Sequence, residues 1–86
     1  MTQYIVLMGQ VICSDGKIDV VYGFDGERFK DRNAAIRHGL QERGSDDFNI
    51  GVLERGRLVS LDWMHDSIEA LPDRLATIAD QIGVRA

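Results

Sequence analysis

The chain has one cysteine, one proline and no surplus of basic charge. With Cys13 alone, no internal disulfide can form, which argues against a small secreted fold held together by bridges. A single proline, Pro72, leaves no proline-rich linker. No apolar run approaches the roughly 20 residues a membrane-spanning helix requires. The opening Met-Thr-Gln-Tyr-Ile-Val-Leu-Met-Gly lacks a basic start, and its apolar run, Tyr4 to Met8, is too short for the core of a signal peptide. The expectation is a reduced, soluble, cytoplasmic protein.

Nucleotide-binding motifs are missing too. There is no phosphate loop and no dinucleotide fingerprint. Gly23-Phe24-Asp25-Gly26 has the Gly-x-x-Gly spacing of a nucleotide clamp, but it sits in a strand–turn–strand context and reads as a turn. Asp15-x-Lys17-x-Asp19 is not a calcium loop, because Val20 stands where the turn glycine is needed.

What is present suits one compact domain over residues 1–86, with 44% hydrophobic and 28% charged residues. The net charge is −4. Residues 1–26 and 58–86 are acidic, whereas residues 27–57 carry seven basic against six acidic groups. An acidic chain repels a polyanion at long range, so nucleic-acid binding would need a local basic patch.

The clearest pattern runs from Asp46 to Trp63. Folded at Arg55-Gly56, it pairs Glu54 with Arg57, Val52 with Val59, Ile50 with Leu61, and Phe48 with Trp63. Cross-strand partners share a face, so one side is apolar and carries the core, with Trp63 its largest side chain. Asn49, Gly51, Leu53, Leu58, Ser60 and Asp62 take the other side. A second hairpin turns at Asp15-Gly16, a strong hairpin signal, pairing Cys13 with Ile18, Val11 with Val20, Gly9 with Tyr22, and Leu7 with Phe24. That face is expected to be core, with Tyr22 lying across the bare backbone of Gly9.

Glu27 to Lys30 is expected as a short edge strand. Asp31 then caps a helix over Arg32 to Arg43 whose inner face is Ala35, Ile36, Gly39 and Leu40, with Gly44 as its left-handed stop. Gly39 allows close approach to the sheet. After Trp63 a short helix to about Ala70 precedes another from Pro72, where Leu75, Ile78, Ala79 and Ile82 form a stripe ended by Gly83. The expected fold is α+β: a two-layer sandwich with an antiparallel sheet of four or five strands, two or three helices on one face, and the order ββ(β)-α-ββ-α.

Each constellation with chemical potential has a structural reading that outweighs it. Asp62, His65, Asp66 and Glu69 share helical spacing suited to a divalent ion, but an acidic first turn also complements a helix dipole. Cys13 with His38 or His65 could form a nucleophile and base, yet its register puts the thiol in the core, where it would be inert. No catalytic residue, metal ligand or cofactor is therefore assigned.

The leading expectation is a non-enzymatic interaction or regulatory module that self-associates, with a homodimer as its simplest form. Its candidate surface is Met8, Ile12, Val21, Leu53 and Leu58, apolar residues on the faces turned from the expected core. The alternative is a nucleic-acid accessory domain using Arg28, Lys30, Arg32, Arg55 and Arg57.

Overall fold

The computed structural model describes residues 1–63 and 72–85, apart from the Trp63 side chain. Strands β1 (Thr2–Ser14) and β2 (Lys17–Gly23) precede helix α1 (Arg32–Arg43), strands β3 (Asn49–Glu54) and β4 (Arg57–Trp63), and helix α2 (Pro72–Ile82). The α+β class agrees with expectation, and the described elements run ββ-α-ββ-α. The strands form one antiparallel sheet in the order β2-β1-β3-β4. The expected strand at Glu27–Lys30 reduces to a single bridge, in which Phe29 and Tyr4 exchange both main-chain hydrogen bonds. The helix expected to end near Ala70 lies outside the described residues.

Both hairpins close through two-residue turns in the left-handed region. Asp15 and Gly16 have φ of 51° and 76°, and Arg55 and Gly56 have φ of 54° and 80°. That geometry matches the right-handed twist of the flanking strands. The β1–β2 register is the one the alternation dictates, with Cys13 opposite Ile18, Val11 opposite Val20 and Gly9 opposite Tyr22. A Cβ on Gly9 would lie 3.4 Å from the Tyr22 ring, so the ring does lie over bare backbone.

The β3–β4 register departs from expectation after its first two pairs. Glu54 faces Arg57 and Leu53 faces Leu58, but Val52 then faces Ser60, Gly51 faces Leu61 and Ile50 faces Trp63. Two irregularities leave Val59 and Asp62 as extra residues in β4. An extra residue turns everything beyond it to the opposite face and bends the strand. Leu58 and Leu61 thus come to the same face, and Val59 is 45% exposed instead of buried opposite Val52.

The expectation that both helices lie on one face is also corrected. Ile5, Leu7, Leu53, Leu58 and Tyr22 pack against Ile78 and Ala79 of α2. Their neighbours Val6 and Ile50, with Phe48, pack against Ala35 of α1. Adjacent residues of a strand point to opposite sides, so buried Ile5 and buried Val6 require cover on both faces. The helices are on opposite sides of the sheet, which makes three layers.

Helix α2 touches both edge strands, β2 and β4, whereas α1 lies on the central pair β1 and β3. A helix can reach both edges of a four-stranded sheet only if the sheet curls around it, and the β4 bulges supply that bend. Val20, Phe24, Leu61, Leu75, Ile82 and Val84 fill the rest of the concave side.

Local chemistry explains the helix limits. The Asp31 carboxylate accepts from the Asn33 N–H at 3.2 Å, and Gly44, at φ 70°, donates its N–H to Leu40 O. Pro72 occupies the first turn of α2, and Gly83 ends it at φ 79°. The α1 stripe is narrower than expected. Ala35 and Gly39 are buried and Ile36 is half-buried, but Leu40 is 44% exposed.

Candidate interaction surface

The two arms of the sheet differ in length. β1 has 13 residues and β3 has six. Thr2 to Leu7 pairs with β3, and Met8 to Ser14 pairs with β2 on the other edge. The outer part of the β1–β2 hairpin consequently extends past the cover of either helix. Residues 10–19 are all exposed, and the molecule measures 40 Å along its long axis against 22 Å along its short one.

This arm overturns the expected burial of the first hairpin. Val11 is 68% exposed, Ile18 is 76% exposed, and the Cys13 thiol is exposed. Their pairing is as expected, but nothing described in the structure packs on the face they share. Of the five expected surface residues, Ile12 is 43% exposed on the other side of the same hairpin, beside half-buried Val21 and Met8. Leu53 and Leu58 are buried in the core beneath α2 and are not on the surface. Their displacement is a consequence of the sheet having cover on both sides. An open groove on the arm is lined by Ile12, Val21, Ser14, Asp15, Lys17 and Asp19.

In a two-residue hairpin the residues flanking the turn form a hydrogen-bonded pair. Ser14, Ile12, Gln10 and Met8 therefore bond β2, and Gly9, Val11 and Cys13 turn their N–H and C=O groups to the opposite edge. β3 reaches only Leu7 on that edge, so these groups have no partner among the described residues.

The outer edges of the sheet are treated differently. On β2, the Val20 N–H donates to the Asp19 carboxylate at 2.8 Å, and the Tyr22 N–H donates to Gln81 Oε1 of α2 at 3.0 Å. On β4, the Leu58 N–H donates to Arg85 O at 2.7 Å. Such plugs occupy groups that would otherwise template another strand.

At the base of the arm, His38 Nε2 of α1 lies 2.6 Å from the Asp25 carboxylate, and its ring centroid is 5.0 Å from that of Phe29. Partial burial pushes the Asp25 carboxyl up. Hydrogen bonds from His38 and from the Glu27 N–H, with the His38 charge, outweigh burial and hold the carboxyl below its ordinary value. His38 is thus engaged here rather than with Cys13.

The expected basic patch is divided. Arg28 and Lys30 flank Phe29 on the edge beside Tyr4. Arg32, at the start of α1, forms an ion pair with Asp62. Arg55 and Arg57 are exposed at the β3–β4 turn, where Arg85 joins them through its bridge to Arg57. Arg85 was not in the expected patch because only the packing of the chain's end against β4 brings it there.

Among the described residues, no group of three or more potential metal ligands is present. Of the acidic cluster weighed as a metal site, Asp62 is the ion-pair partner of Arg32, and His65, Asp66 and Glu69 lie outside the described residues. No described helix is long and apolar enough to cross a membrane. In comparisons with known proteins, no family model, curated protein or solved structure matches the chain.

Proposed function

We propose that this chain is a non-enzymatic, cytoplasmic interaction module that works by self-association, with the outer arm of the β1–β2 hairpin as its contact surface. The observation that carries this reading is the exposure of Val11, Ile12 and Ile18 on an arm that neither helix covers. Apolar side chains concentrated at one projecting site characterise a contact surface, whereas isolated ones are ordinary. Met8 and Val21 extend the surface toward the body. Sedimentation velocity across a concentration series tests it. Wild type is expected to associate, and Ile12→Asp or Ile18→Asp to shift the protein to monomer without loss of fold. A wild type that stays monomeric at every concentration overturns the reading.

A second reading, a nucleic-acid accessory role, is favoured by the convergence of exposed Arg55, Arg57 and Arg85 at the opposite end of the molecule. Binding to duplex DNA or RNA that weakens steeply with salt is its signature. No binding at low ionic strength disposes of it.

A further inference from the structure

We infer that two copies of this chain join edge to edge through residues 9–13 of β1, making one antiparallel sheet that continues across a two-fold axis. The inference rests on the self-association proposed above and specifies its geometry. Among the described residues, nothing pairs with the N–H and C=O groups that Gly9, Val11 and Cys13 present along one edge, because β3 stops opposite Leu7. A strand edge of this kind accepts another strand.

Three features single out a second copy as the occupant. The first is charge: Met8 to Ser14 contains no charged side chain, so the seam itself sets no like charges face to face. The second is symmetry. An antiparallel pair of identical strands is self-complementary about a two-fold axis, so each copy supplies what the other lacks. The register that uses all three residues puts Val11 opposite Val11 of the second copy and Gly9 opposite Cys13. It makes about six main-chain hydrogen bonds, since each directly facing pair exchanges two. The third is what lies beside the seam. Val11 is flanked by Ile18 and Val20 on β2, and two copies turn this small exposed patch into a continuous apolar strip. The β2 edge is unsuited to the same use, because the Val20 and Tyr22 N–H groups are already taken.

Val11→Pro provides a test. The Val11 N–H faces the open edge and takes no part in the β1–β2 ladder, a place where a strand tolerates proline. The variant is expected to keep its fold by circular dichroism and to weaken association about tenfold or more, since each copy loses a seam donor. A second variant, Val11→Cys with Cys13→Ser, is oxidised in air with a copper catalyst. Paired residues on the axis have Cα atoms about 5.5 Å apart, within disulfide reach. A covalent dimer is expected from this variant, and none from wild type through Cys13. If wild type associates while Val11→Pro associates equally well and Val11→Cys does not cross-link, the edge geometry is overturned and self-association stands. If wild type is monomeric, both fall. Should Val11→Pro fail to fold, the cross-linking result decides.

Discussion

The ring of Phe48 lies directly against the Cα of Gly39, so that a Cβ there would meet three ring carbons at 2.6 to 2.8 Å. Phe48 enters from the start of β3 and Gly39 from the middle of α1, and the contact sets how closely that helix approaches the convex face of the sheet. Gly39→Ala gains about 1 kcal/mol of helix propensity. It also forces a buried ring to move, and overpacking of that kind costs about 1–3 kcal/mol. The expected net effect is destabilisation, read as a lower denaturation midpoint in urea. A variant more stable than wild type would show that the ring yields freely.

Leu53 and Leu58 separate core from contact surface. Both are buried against α2. Leu53→Ala or Leu58→Ala is expected to cost about 2–5 kcal/mol in chemical denaturation, as for large-to-small changes in a packed core. Ile12→Ala, on the exposed arm, is expected to stay within about 0.5 kcal/mol of wild type, as surface changes usually do. Equal effects at the two sites would contradict the layering described above.

Arg55 holds a left-handed conformation at φ 54°. That conformation disfavours a long side chain, whereas asparagine tolerates it and suits this turn. Arg55→Asn is expected to stabilise the protein by about 0.5–1 kcal/mol, the scale of turn optimisation. Thermal unfolding monitored by circular dichroism is the check, and a lower melting temperature would show that the guanidinium has a stabilising partner.

The Asp25–His38 pair predicts part of the acid response. The folded-state pKa of Asp25 is lowered from its ordinary 3.8. The unfolded chain therefore binds the proton first, and the stabilisation is complete above that ordinary value. It is lost as pH falls through the lower folded value. A partly exposed pair contributes about 0.2–1 kcal/mol. Stability of wild type and Asp25→Asn, followed by urea denaturation, should differ near neutral pH and converge in strong acid. A gap that stays constant down to strong acid would remove the carboxylate from this role.

Local features were legible because their causes are local. Asp15-Gly16 and Arg55-Gly56 turn where glycine follows a residue held left-handed. Asp31 and Gly44 bound α1 through bonds within a few residues of themselves. Pairing opposite the first turn follows directly from alternation, and the β1–β2 register was readable from it. The candidate site was only half legible. Ile12 and Val21 could be found as apolar residues on the wrong face of a hairpin, but Val11 and Ile18 looked like core. The available signal was the mismatch between a long β1 and a short β3, which leaves the far half of β1 without a neighbour.

The chain's own order of apolar and turn residues determined the strands, turns, caps and class of this protein, because each depends on neighbours a few positions apart. Only the tertiary structure decided which side of each strand is dry, since that depends on where helices from distant segments settle. With α1 on one side and α2 on the other, both alternating sets of β3 are buried, and alternation no longer distinguishes inside from outside. The two extra residues in β4 curl the sheet around α2, and the outer arm of β1 and β2 is left beyond the reach of both helices.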